Sequence, residues 1–171
     1  MPVVMTMNMG AEGTDPEMED SDFDQLQANL QKMVIEDARQ SYSEIVVEHA
    51  MNPRNAGVME DADGYGSSFG NCGDSIEMWL KVKDKQISRI SFWTDGCGAT
   101  SAAASITTEM AQNRSLAQAQ QISTGDILQA LGGLPPDHEH CATLAVNALK
   151  DAIKNYLAFE REPWKRAYGK L

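Results

Sequence analysis

The sequence predicts an α+β fold, a small three-stranded antiparallel sheet packed against several helices. Three observations carry this. Apolar residues recur at helical spacing over residues 25–51 and again over 99–159. Between these stretches, Ile76, Met78, Leu80 and Val82 alternate with Ser75, Glu77, Trp79 and Lys81, the period of a half-buried strand. After Asp84-Lys85, a second strand continues through Ile90 and Phe92, so the pair reads as a hairpin.

The elements follow in order. The first 24 residues hold seven acids, no bases and five methionines, without a period. That composition cannot bury enough to offset ordering, so residues 1–24 are expected to be a disordered acidic extension and 25–171 one domain. Leu26, Leu30, Met33 and Val34 trace one helical face, with Asp37 its polar exception. Tyr42, Ile45, Val46 and His49 resume the spacing, so a break is expected near Gln40-Ser41. Asn52-Pro53 ends the helix, because a residue before proline is pushed out of the helical region. His49 falls in the last turn, where a cationic or donor side chain suits the helix dipole. A short strand is expected around 65–69 and completes a meander. An alanine-rich helix is predicted over 99–113. Short helices follow, capped by Ser115 and by Ser123 or Thr124. Gly132-Gly133 ends the second, and a long helix starts near His140, with Leu144, Ala148, Ile153 and Leu157 inward.

The totals narrow the function. Net charge is −11, of which the first 24 residues supply −7 and the rest only −4. No basic surface is expected, which argues against nucleic acid. No apolar run approaches the roughly 20 residues that cross a bilayer. The N-terminus lacks the basic and apolar regions of a secretory signal, and the expected location is cytoplasmic.

The chemistry-bearing stretch is Gly70-Asn71-Cys72-Gly73-Asp74. The second thiol lies in Gly96-Cys97-Gly98 and the third, Cys141, follows His140. An odd number of cysteines cannot all pair within one chain, and clustered cytosolic thiols more often bind metal or do chemistry. All three sit at predicted element ends, where free backbone N–H groups favour an anion and are expected to lower thiol pKa values. Soft thiolates select zinc, Cu(I) or iron–sulfur clusters. With Asp74 or His140, three thiolates complete four ligands. The separations, 25 and then 44 residues, are not the paired spacing of a permanent zinc ribbon. A site with one weaker, replaceable ligand suits exchange. Asp74 alone also reads as a turn-capping carboxylate, and His138 as part of a polar loop.

At these residues the chain resembles the IscU/NifU-type iron–sulfur cluster scaffold family. The motifs are His49-Ala50-Met51-Asn52-Pro53-Arg54-Asn55-Ala56-Gly57, Cys72-Gly73-Asp74, Gly96-Cys97-Gly98, and Leu134-Pro135-Pro136 ahead of His140-Cys141. The resemblance implies a scaffold, not an enzyme, that builds a transient [2Fe-2S] cluster on Cys72, Cys97 and Cys141. It implies Cys141 as a candidate persulfide acceptor, Asp74 as the residue tuning cluster lability and His140 as an alternative ligand. Zn2+ is an alternative occupant. Implied partners are a cysteine desulfurase, an electron donor such as a ferredoxin, and apo iron–sulfur acceptor proteins. Members served by a dedicated Hsp70-type chaperone carry Leu-Pro-Pro-Val-Lys; here Asp137-His138 follow Pro136, which argues against that handover. The related SufU-type zinc-dependent sulfurtransferases resemble the chain at the cysteines. They lack the histidine before the third cysteine and carry an insertion that this chain does not. A structural zinc module is a third reading, and it predicts unfolding on metal removal.

Overall fold

The computed structural model describes residues 20–164. The chain divides into two units, residues 1–36 and 37–171, so the expected boundary at 24/25 falls inside the first. The predicted extension falls largely on residues 1–19, outside those described. Helix α1, Asp20–Ser41, starts earlier than the predicted Gln25. Its apolar positions Leu26, Leu30, Met33 and Val34 are exposed, the last at 66%.

Within the second unit, helix α2 is Glu44–Met51, capped by Ser43, whose Oγ accepts from Val46 N. The break therefore lies at Tyr42-Ser43, next to the expected position. Strands β1 (Gly64–Phe69), β2 (Ser75–Lys83) and β3 (Gln86–Thr94) form the antiparallel meander in the order β1-β2-β3. Asp84 and Lys85, the two residues of the tight turn, have φ of +53° and +61°. A type I′ turn needs positive φ at both positions, so a tight hairpin forms here without Asn-Gly.

Helices α3 (Gly98–Ala111), α4 (Leu116–Gln120), α5 (Thr124–Ala130) and α6 (Glu139–Arg161) complete the unit. Ser115 and Ser123 cap α4 and α5, each with a reciprocal capping box, to Gln118 and to Asp126. The core lies between the sheet and α3 and α6: Ile76, Met78, Leu80 and Phe92 meet Ala102, Ala103, Leu149 and Ile153. Contrary to simple alternation, Trp79 is also buried, covered with Met59 and Ala62 on the other sheet face. Among the described residues no helix is long and apolar enough to cross a membrane.

β1 lies against α6 at glycine distance. A Cβ on Gly64 would meet Ala152 O at 2.7 Å. Strand-edge donors find partners on the same helix: Tyr65 N donates to Asn155 Oδ1 (3.1 Å) and Ser67 N to Asp151 Oδ2 (3.2 Å). A sheet edge is thereby closed to further pairing.

The Asn-Pro-Arg-Asn segment is a structural clamp. Arg54 N donates to Ser105 Oγ (2.8 Å), and the Arg54 guanidinium pairs with Glu48 and with Glu109 (3.2 Å). Asn55, at φ +60°, donates its side-chain amide to Thr108 Oγ1 (3.1 Å) and its carbonyl accepts from Phe92 N. His49 lies within this clamp, buried, with Nδ1 2.8 Å from Ser105 Oγ. Of the two roles expected at this helix end, cationic or donor, the cationic one is disfavoured, because burial, and then the Arg54 charge, lower the His49 pKa while Glu109 and Glu48 oppose.

This has a pH consequence. A histidine whose folded pKa lies below its unfolded value of about 6.5 takes up more protons when unfolded. Stability linked to His49 is therefore present above that value and lost on acidification through it. Urea unfolding at a series of pH values between 7.5 and 5.5 should show a fall in stability that is shallower in His49→Gln. Equal slopes would remove His49 as the titrating group.

Candidate metal and sulfur site

Each thiol is delivered by a different element end. The Cys72 loop is closed by Gly70 N donating to Asp74 O (2.8 Å) and Gly73 N to Gly70 O (3.0 Å), with Gly73 at φ +91°. The Cys97 loop is pinned to it. Asp95 Oδ1 accepts from Ser75 N (2.7 Å) and Ser75 Oγ (2.8 Å), which holds that carboxyl below its ordinary pKa. Thr94 Oγ1 donates to Ser75 O (2.6 Å). Cys97 occupies the N-cap of α3 in an extended conformation, with no side-chain cap hydrogen bond from its thiol. Cys141 sits in the first turn of α6, its N–H donating to His138 O (3.0 Å).

The glycines next to the thiols work sterically. A Cβ on Gly70 would lie 2.6 Å from Leu144 Cδ1 and 3.0 Å from Cys72 Sγ. One on Gly96 would lie 2.7 Å from Thr100 Cβ and 2.8 Å from Asp74 Oδ2. A side chain on Gly96 would crowd Asp74 of the neighbouring loop, and one on Gly70 would displace the Leu144 side chain.

The residues singled out in the sequence are linked in one chain of contacts. Cys72 Sγ is 3.1 Å from His140 Nε2, and His140 Nε2 is 3.7 Å from Cys141 Sγ. Asp74 joins through Thr100, whose hydroxyl donates to Asp74 Oδ2 (2.7 Å) and lies 3.2 Å from Cys141 Sγ and 3.5 Å from Cys97 Sγ. Cys72, Cys97 and His140 are exposed, and Asp74 is half-buried.

Cys141 departs from expectation. It is 0% exposed, and its thiol is raised to about 11 rather than lowered. Burial is the largest cause; the Thr100 hydrogen bond opposes it, and the charges of Cys97, Asp74 and Cys72 add to it. Desolvation here outweighs the helix N-terminus. As the candidate persulfide acceptor, Cys141 is thus the least reachable thiol in this conformation, while Cys72 and Cys97 are open. Cys72 and His140 also line an open cleft with Phe69, Asn71, Thr143 and Asn147, a route to the thiol from solvent.

Two residues that the sequence reading left out of the site belong to it. Thr100 stands three residues after Cys97, a polar residue among alanines, and helical spacing turns it back to the thiol. His138 lies two residues before His140, with its Nδ1 3.9 Å from Cys97 Sγ. Cys97, His138 and Cys141 each offer a ligand atom, all within 4.8 Å of one another. Two thiolates and an imidazole form a borderline-soft donor set.

The family profile described as the NifU-like N terminal domain matches residues 41–162. The iron–sulfur cluster assembly scaffold protein IscU 1 of Archaeoglobus fulgidus is 46% identical over 117 residues, 67% of this chain and 76% of that protein. The scaffold protein IscU of Escherichia coli K12 is 40% identical over 121 residues, 68% of this chain and 94% of that protein. Among solved structures, the N-terminal part of a nitrogen-fixing NifU-like protein from Brucella abortus has a TM-score of 0.55 at 16% identity, covering 68% of this chain and 94% of that one, a likeness of fold. By the profile match over most of its length and by its relatives at 40–46% identity, the chain belongs to the NifU-like N-terminal domain family, the IscU/NifU scaffolds.

Proposed function

We propose that this chain is a cytoplasmic scaffold that accepts iron and persulfide sulfur, builds a transient [2Fe-2S] cluster on Cys72, Cys97 and Cys141, and passes it to apo-proteins. The observation that carries this reading is the convergence of three thiols through His140 and Thr100, two of them exposed. A closed structural zinc cage would bury its ligands; an open one suits cargo that must leave. Relatives of this chain are named iron–sulfur cluster assembly scaffolds.

The cluster is cargo, so the chain is not an enzyme in the usual sense. Sulfur arrives as the outer sulfur of a persulfide on a cysteine desulfurase. An exposed thiolate, Cys72 beside His140, attacks that sulfur; a new S–S bond forms, the donor's S–S bond breaks, and the donor cysteine leaves as thiolate. Each sulfur taken up must gain two electrons to become sulfide, which calls for an electron donor such as a ferredoxin. Cys141 must lose its proton when metal binds, so loading releases a proton. Zn2+ also suits thiolate and imidazole donors of this kind. Asp137-His138 in place of Val-Lys speaks against handover by an Hsp70-type chaperone.

Asp74 has the role of promoting release, as a weak oxygen donor replaceable by an acceptor's thiolate. Asp74→Ala should lengthen the lifetime of the bound cluster; an unchanged transfer rate would count against that role. Cysteine-to-serine changes at Cys72, Cys97 or Cys141 should each abolish stable assembly.

The deciding experiment is anaerobic reconstitution with iron, cysteine and a cysteine desulfurase, followed by visible absorption, bound-metal analysis and transfer to an apo-ferredoxin. Sulfur-to-iron charge-transfer bands and a matured ferredoxin support the scaffold. Tightly held zinc, no cluster and faster desulfurase turnover would establish the SufU-type sulfurtransferase instead.

A further inference from the structure

The ligand atoms around the thiols fall into two sets that share Cys141. In one, His140 turns its Nε2 to Cys72 Sγ at 3.1 Å. In the other, Cys97, His138 and Cys141 offer ligand atoms within 4.8 Å of one another.

His138 carries features that a polar loop residue does not need. Its Nδ1 faces Cys97 Sγ, and its Nε2 lies 3.5 Å from Asp137 Oδ2. Metal-bound histidines nearly always give their second ring nitrogen's proton to a carboxylate, carbonyl or water, which sets the tautomer and strengthens the ligand. The Asp137 carboxylate, 3.5 Å from Nε2, stands where that partner is needed. The ring is held on two sides, edge-on by Tyr42 at 5.8 Å and stacked on His140 at 6.4 Å. A positioned imidazole beside two thiols is a three-ligand set, and the exposure of Cys97 leaves a fourth position open.

We propose that Cys97, His138 and Cys141 bind one divalent transition-metal ion, with Asp137 orienting His138, and that Cys72 and His140 stay outside this ion's ligand set. Asp137 and His138 are the residues by which the chain departs from Leu-Pro-Pro-Val-Lys, so the site is built from what is particular to this sequence. The inference rests on the scaffold reading and divides its labour: the ion enters on Cys97, His138 and Cys141, while Cys72 remains free to accept sulfur. Binding exchanges two thiol protons for the metal and needs no oxidant or reductant.

The test is anaerobic titration of the full chain with Co2+, whose ligand-field and sulfur-to-cobalt bands report coordination, with a competing chelator to give affinity. One Co2+ per chain is expected. Asp137→Asn should weaken binding by about 10–100-fold and His138→Ala by at least about 100-fold, extending the usual cost of a lost supporting group to a lost ligand. His138→Cys should recover affinity and shift the charge-transfer bands towards a three-thiolate pattern. Cys72→Ser and His140→Ala should each stay within about threefold of the parent, because neither is a ligand to this ion. Circular dichroism and urea midpoints check that every variant is folded. Loss of cobalt in Cys72→Ser or His140→Ala, or unchanged affinity in His138→Ala, would overturn the site. Cluster reconstitution separates the two readings. Normal cobalt binding without cluster assembly removes the scaffold alone, and assembly with cobalt binding indifferent to His138 removes the ion site alone.

Discussion

Gly66→Ala should destabilise the domain more than any other single-methyl insertion, by about 3 kcal/mol or more, at the upper end for overpacking a core. The added Cβ would meet Ala148 O at 2.5 Å and Asp151 C at 2.7 Å, and come closer still to Ala152 N. All three are backbone atoms of α6, so no rotamer change relieves the clash. The strand and helix must separate, and α6 carries both His140 and Cys141 at its start. Urea unfolding should show a lower midpoint with an unchanged slope. Gly125→Ala is the control: its nearest neighbour to a new Cβ, beyond the adjacent residues, is Ser123 Oγ at 3.7 Å, and it lies within α5. That change should be neutral or stabilising by up to about 1 kcal/mol. Equal effects at the two positions would mean that β1 and α6 are not packed at glycine distance.

Thr100→Val should leave the fold intact and damage the site. Valine keeps the shape of threonine, so the buried packing survives with a loss of about 1–2 kcal/mol for the missing hydroxyl. The site loses the group that joins Asp74, Cys97 and Cys141. The Thr100 hydrogen bond is the influence that holds the Cys141 pKa down, so without it the thiol rises above about 11 and gives up its proton less readily. Supporting groups of this kind cost about 10–100-fold in metal affinity when removed, and cluster retention should fall by that order. Thr100→Ser, which keeps the hydroxyl, should restore most of it. Absorbance of the reconstituted cluster against time after chelator addition gives the measurement. If valine and serine retain the cluster equally, the hydroxyl has no part in holding it.

Much of this protein was legible before any coordinates. Period two over Ile76 to Val82 and the capping serines Ser115 and Ser123 state local preferences, and local preferences survive folding where tertiary packing agrees with them. The motifs at Cys72, Cys97 and Cys141 likewise singled out thiols that the fold links through contacts with His140 and Thr100. What needed the tertiary structure was whatever depends on neighbours distant in sequence. The pKa of Cys141 is one case: the Thr100 hydrogen bond pulls it down, yet burial and nearby negative charge raise it, and no local pattern reports either. His49 is another, its pKa lowered by burial and then by the charge of Arg54. Thr100 and His138 carry no motif of their own; each becomes part of the site only when α3 and the start of α6 bring it to the thiols. The sequence by itself determined the element types, the meander and the identity of the three thiols, because periodicity, capping and residue chemistry are local. Only the tertiary structure decided which thiol is buried, which are open, and which histidine faces which sulfur, because desolvation and approach distance belong to the packed whole.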